Sequence, residues 1–170
     1  MRKGIFIMLL TVLAAASGFS QSKYKSAFGA RIGTGYSDLI AASLKAFLGE
    51  SPGAIEVNLG FRPDYGYTGV FNVSLSAAYQ YHFDIEQVEG LKWFIGGGLT
   101  GYYSISGHNE YEGFGLGLFP TGGVDYKFPA IPLNVSVDLR PTIRIAAPRN
   151  YDYSNFYVGN FGVSARYTFR

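Results

Sequence analysis

From residue 28 to the C-terminus, apolar and polar residues alternate with period two. Successive side chains of a β-strand point to opposite faces, so this pattern predicts strands with one apolar and one polar face. Phe28, Ala30, Ile32, Thr34 and Tyr36 oppose Gly29, Arg31, Gly33 and Gly35. Ile55, Val57, Leu59 and Phe61 oppose Glu56, Asn58, Gly60 and Arg62. The odd residues from Phe71 to Phe83 are apolar and oppose Asn72, Ser74, Ser76, Ala78, Gln80 and His82. A looser series carries Trp93, Ile95, Leu99 and Tyr103. The next holds Phe114, Leu116, Leu118, Val124, Tyr126 and Phe128, with Pro120 as an interruption. Leu133, Val135, Val137, Leu139, Ile143 and Ile145 oppose Asn134, Ser136, Asp138, Arg140, Thr142 and Arg144. Phe161, Val163, Ala165, Tyr167 and Phe169 oppose Asn160, Gly162, Ser164, Arg166 and Thr168.

These are seven strands. A closed single-chain barrel needs an even number. Asp38–Leu48 is the candidate for the eighth. There Ile40, Ala42, Leu44, Ala46 and Leu48 alternate with Leu39, Ala41, Ser43, Lys45 and Phe47. A helix ending at Gly49 fits the same residues locally, with Leu39, Ile40, Ser43, Leu44, Phe47 and Leu48 on one face. Parity selects the strand. Several segments reach the 9–11 residues that a tilted membrane-spanning strand requires. The opposing faces carry Arg31, Glu56, Arg62, Asp138, Arg140, Arg144 and Arg166 among glycines and serines. That composition suits a narrow polar lumen.

The N-terminus reads as an export signal: Arg2 and Lys3, then an apolar run from Ile5 to Ala16, then Gly18 and Ser20 placed for cleavage before Gln21. The run is shorter than the roughly 20 residues of a membrane-spanning helix, although an uncleaved anchor is the alternative. The expected organisation is a signal peptide over 1–20 and one barrel domain over 21–170. The whole chain has 14 Lys and Arg against 12 Asp and Glu. The signal takes two cations and no acid, which leaves a balanced mature chain. No basic stripe or motif points to nucleic acid, and no cysteine is present for disulfides or thiolate metal sites.

The connections fall into two classes. Residues 49–53 and 129–132 are tight, 84–90 is somewhat longer, and the first connection, near residues 36–38, is short. Residues 63–68, 104–113 and 148–155 are richer in Tyr, Asn, Gly and charge. Short periplasmic turns and longer external loops are the outer-membrane pattern, so both termini are expected in the periplasm. Aromatics then collect at strand ends. Phe47, Tyr81, Phe83, Trp93, Tyr126, Phe128, Tyr167 and Phe169 lie at the periplasmic side; Tyr36, Phe61, Tyr103, Phe114 and Tyr157 lie at the outer side. Rings of this kind settle at headgroup level.

On these segments the chain resembles the small outer-membrane β-barrel proteins of Bacteroidota, which are similar in architecture to OmpX-type and OmpA-type barrels. The likeness is carried by residues 43–48, 54–62, 79–83, 93–98, 131–141 and 165–169. It implies an all-β, eight-stranded antiparallel up-and-down transmembrane barrel and no settled activity. The end of the chain resembles the assembly signal read by barrel-insertion machinery, with Tyr167 and Phe169 alternating; here Arg170 follows the aromatic.

The main chemical constellation is a lumen charge network of Arg31, Glu56, Asp138, Arg140, Arg144 and Arg166, with Asp125 and Lys127 as further members. A small barrel interior is filled by side chains, and buried charges need partners. A plug of paired charges is therefore expected, with an anion-preferring pore as the alternative. His108, near Ser104, Ser106, Glu110 and Glu112, is the best catalytic candidate, for a lipid hydrolase or acyltransferase. His82 reads as a lumen hydrogen-bonder. The run Gly96–Gly98 lacks the Lys-Ser/Thr of a phosphate loop. The resulting expectation is a monomeric, non-enzymatic outer-membrane protein with no cofactor. Its partners would be outer-membrane lipid, the insertion machinery, and an unidentified ligand at the Tyr-rich loops. A soluble periplasmic barrel is the competing fold.

Overall fold

The computed structural model describes residues 24–63, 70–106, 112–147 and 155–169. The expected signal peptide lies outside them. Ten hydrogen-bonded segments follow in order: β1 (Ser26–Gly33), β2 (Ile40–Phe47), β3 (Gly53–Pro63), β4 (Phe71–Asp84) and β5 (Leu91–Ile105). Then come β6 (Gly113–Lys127), β7 (Leu133–Leu139), β8 (Thr142–Ala146), β9 (Phe156–Tyr157) and β10 (Phe161–Phe169). Both β7 and β8 pair with β6, so they lie end to end as one stave. In the same way β9 pairs with β8 and β10 with β7, which makes the last stave.

The result is eight antiparallel staves in sequence order. They close where β1 meets β10, from Ser26↔Phe169 to Gly33↔Gly162. Closure removes the row of unpaired N–H and C=O groups that an open sheet leaves at its edge. Compact connections (48–52, 85–90, 128–132) lie at the end holding Tyr24 and Phe169, here the turn end. The opposite, loop end holds the connections after β1, β3, β5 and β8.

The ambiguous segment is a strand. β2 pairs with β1 on one side and with β3 on the other. Two complete ladders outweigh a local helical pattern that has only its own turn-to-turn bonds. Pro120 does not end its strand, for β6 runs through it with Pro120 opposite Gly97. The interruption falls on the neighbouring stave, at Arg140–Pro141. There the ladder to β6 skips Phe119–Thr121. Pro120 and Pro141 both lack the donor that a continuous ladder would use. The Thr142 hydroxyl instead donates to the freed Arg140 carbonyl at 2.9 Å.

Polarity is inverted relative to a soluble domain. Arg31 is 1 % exposed while its neighbour Ile32 is 62 % exposed. Phe28, Leu44, Leu75, Leu99, Val137 and Val163 are likewise on the outside. The buried apolar set is small and includes Ala27, Ala41, Ala54, Ala78, Phe94 and Phe119. Most of the interior is Ser, Thr, Asn, Gln and charge. A monomeric soluble protein rarely presents a continuous apolar surface of more than a few hundred Å²; here that surface encircles the barrel.

Glycines on the inner face make room for long side chains. A Cβ on Gly162 would collide with Nη2 of Arg31, and one on Gly115 would collide with the Tyr102 ring. Two aromatics expected at the headgroup borders point into the barrel instead. β1 ends at Gly33, and the connection that follows turns Tyr36 inward over the loop-end mouth, against Tyr102 at 5.3 Å and Tyr157 at 5.8 Å. Phe47 also points inward and packs on Tyr24 and His82 at the turn end.

Candidate functional site in the barrel lumen

Arg31, Lys45, Glu56, Arg140 and Arg166 are each at most 2 % exposed. Four strands and one strand break bring them together. Glu56 on β3 is the hub. Its carboxylate meets Arg140 Nη2 at 2.5 Å, Arg166 Nη2 at 3.1 Å and Lys45 Nζ at 3.6 Å. Asn58 and Gln80 add amide donors at 3.1 and 3.0 Å. Arg140 also donates from Nε to Asp138 at 2.8 Å. Arg31 binds the same Asp138 carboxylate through two nitrogens, at 2.7 and 3.2 Å, and reaches Asp38 at 2.8 Å. Arg166 is held further by Ser43 and Ser136.

A second carboxylate, Asp125, anchors the turn end. Lys45 Nζ lies 2.8 Å from it and His82 Nε2 3.2 Å. The Tyr24 hydroxyl donates at 3.3 Å, and the Asn134 amide donates as well. Four cations (Arg31, Lys45, Arg140, Arg166) thus face four carboxylates (Asp38, Glu56, Asp125, Asp138) in one connected ion-pair network. The charge balance follows from desolvation, since a buried ion left unpaired is strongly destabilising.

Of the residues singled out by sequence, Arg31, Glu56, Asp138, Arg140 and Arg166 form one connected cluster. Arg144 is lumenal but stands apart, with its guanidinium 5.5 Å above the Tyr36 ring near the loop end. Lys127 does not join the cluster; its amine caps the Phe128 and Ile131 carbonyls at the turn end. Lys45, Asp38 and Tyr24 belong to the network although sequence does not single them out. Lys45 shares the polar face of the segment whose local pattern admits two structures, and Tyr24 precedes the first alternating residue. Asp38 lies outside the strands. Its burial pushes the carboxyl above the ordinary aspartate range, against the opposing pull of Arg31.

Outside, Trp93, Tyr81, Phe83, Tyr126, Phe128, Tyr167 and Phe169 all sit at the turn end. Trp93 stacks on Phe83 at 4.1 Å, Tyr126 meets Phe128 at 4.7 Å, and Tyr167 meets Phe169 at 5.1 Å. His108 lies outside the described residues. Among those described, no group of three His, Cys, Asp or Glu is placed to hold a metal ion.

A closed eight-stave barrel with an apolar exterior and an ion-paired interior has the fold of a small outer-membrane-type β-barrel. The chain is similar in structure to Neisserial surface protein A, with a TM-score of 0.57 and 16 % identity over 85 % of this chain and 96 % of that one. That likeness is one of fold. No family model and no curated protein matches the sequence.

Proposed function

We propose that this protein is an integral outer-membrane barrel with a structural or surface-interaction role, its lumen closed to ions by the paired charges. The observation that carries this reading is the apolar exterior around a charged interior, an arrangement that hydrocarbon stabilises and water does not. The turn-end aromatics then sit at the periplasmic headgroups, both termini lie in the periplasm, and the loops face outside. Export by a cleaved signal over residues 1–20 and recognition of Tyr167 and Phe169 by the insertion machinery complete the route. Kinship with the Bacteroidota barrels rests on the sequence segments alone. The similar Neisserial protein is named as a surface protein, which suits a role for the Tyr-rich loops in contact with an external ligand. The barrel acts as a monomer and without turnover.

The test is membrane fractionation followed by gel migration with and without boiling. The expected result is an outer-membrane band whose mobility shifts on heating. A soluble protein with no shift would contradict the reading. Lipid A profiles of cells carrying wild-type or His108→Ala protein test the non-enzymatic part, with identical profiles expected.

A further inference from the structure

Two residues suffice to join antiparallel strands, yet β4 and β5 are joined by six, residues 85–90. This connection is folded back on itself at the turn end. The Val88 N–H donates to the Ile85 carbonyl at 3.1 Å, the Leu91 N–H to the Val88 carbonyl at 3.1 Å, and the Lys127 N–H to the Gly90 carbonyl at 2.9 Å. Gly90 has φ +81 and lies so close to β6 that a Cβ there would meet the Lys127 carbonyl oxygen at 2.2 Å. The connection is thus held as a wall, and with the 48–52 turn it encloses a cavity of about 740 Å³. Cavities of roughly 300–1,000 Å³ are the usual size of small-molecule sites.

The lining of this cavity is divided in its chemistry. The floor is aromatic: Tyr24 and Phe47 line it, with ring centroids 5.1 Å apart. Behind them the Tyr24 hydroxyl donates to Asp125 and Phe47 packs on His82 at 4.9 Å, so the floor separates the cavity from the ion-paired lumen. Ile85, Val88 and Leu91 add apolar wall. The rim is acidic, with Glu50, Asp84, Glu86 and Glu89 against Lys92 and Lys127. Lys92 is matched to Asp84 at 2.9 Å, and the Lys127 amine is held by the Phe128 and Ile131 carbonyls. Glu50, Glu86 and Glu89 enter no ion pair among the described residues. No three carboxylates among those residues converge as a metal ion would need. Spread negative charge over an apolar, aromatic floor complements an extended cation. Low-dielectric walls focus the field of like charges, and aromatic faces attract ammonium groups.

We propose that this cavity binds a small organic cation in which an ammonium group is joined to an apolar body. The body rests on Tyr24, Phe47, Ile85 and Val88. The ammonium lies among Glu50, Glu86 and Glu89, where charge-assisted hydrogen bonds hold it. An anion of the same shape meets uncompensated carboxylates, and a cation without an apolar body leaves the floor in water. The inference goes beyond the membrane-barrel reading and does not depend on it; under that reading the site opens to the periplasm.

Purified protein in zwitterionic detergent, with far-UV circular dichroism as the check of folding, is titrated with tryptamine by calorimetry against empty micelles. Indole-3-propionate, which has the same ring and the opposite charge, and 1,4-diaminobutane, a cation without a ring, are titrated alongside. Tryptamine should bind saturably at one site per barrel, and both comparison compounds at least about tenfold more weakly. Glu86→Gln combined with Glu89→Gln, and separately Phe47→Leu, should each weaken tryptamine by about tenfold while the strand signal is kept. Equal binding of tryptamine and indole-3-propionate, no saturable binding beyond empty micelles, or folded variants with unchanged affinity would each overturn the proposal. So would a gain of about tenfold on Lys23→Gln, which would make a lysine of the chain itself the occupant.

Discussion

Two buried carboxylates organise the lumen, and they are stabilised differently. Glu56 is surrounded by three cations, two of them guanidiniums that stay charged at any accessible pH. Asp125 has one close basic partner other than histidine, Lys45, and otherwise draws on a histidine, a phenol and an amide. Removing Asp125 leaves Lys45 still 3.6 Å from Glu56. Removing Glu56 strands Arg166 beside neutral partners and leaves Arg140 with Asp138 alone. The difference teaches that the count of ion pairs matters less than whether each fixed charge keeps a counter-charge once a neighbour is lost.

The sharpest way to break this comparison is Glu56→Ala. Breaking a buried pair from one side costs about 3–5 kcal/mol, and the variant should unfold at much lower urea in detergent. The single tryptophan, Trp93 on the outer face, reports the transition by fluorescence. Asp125→Asn should follow at about 1–3 kcal/mol, because most of its partners are neutral and the asparagine keeps an acceptor. Equal losses at the two sites would remove the distinction between the hubs.

The legible and illegible parts of this architecture separate along the same physical line. Alternation is written residue by residue, since lipid-facing and lumen-facing positions must differ along every strand. Leu133, Val135 and Val137 against Asn134, Ser136 and Asp138 therefore identify a strand and its faces without any knowledge of neighbours. Residues 38–48 are undecidable locally, because the ladders that hold β2 come from residues outside it. Partners across the lumen are also hidden. Lys45 and Asp125 are 80 positions apart, and nothing local links them. Tyr24 and Tyr36 take their orientation from the chain closing over a mouth, and period-two alternation carries no signal for that.

Gly162→Ala probes the packing that supports the mid-lumen pairs. The added methyl would displace the Arg31 guanidinium, which Gly162 and Gly33 leave room for. Because the contact is with the end of a long side chain, the expected loss is at the lower part of the overpacking range, about 1–2 kcal/mol. Gly29→Ala is the harsher companion, for its methyl would meet the Ala165 carbonyl oxygen, which is backbone and cannot swing aside. If the two unfold at the same urea concentration, room for Arg31 is not what Gly162 provides.

The smallest effect is expected at Asp38, the one carboxylate of the set that lies outside the strands. Arg31 keeps both of its bonds to Asp138 when Asp38 is changed, and asparagine keeps an acceptor, so Asp38→Asn should alter stability at neutral pH by about 1 kcal/mol. The pH dependence carries more information. Burial raises the Asp38 carboxyl above its ordinary value, so the folded state binds its proton more tightly than the unfolded chain, whose aspartate titrates near about pH 4. Stability from this group is therefore present when it is protonated and is lost as pH rises through the raised value. Wild type should gain on Asp38→Asn as the pH is lowered towards the acid side of that window. The difference in urea midpoint between the two proteins, followed from neutral to mildly acidic pH, gives the sign directly. A gap that moves in favour of Asp38→Asn on acidification would mean that the Arg31–Asp38 pair, and not the burial of Asp38, governs this mouth of the barrel.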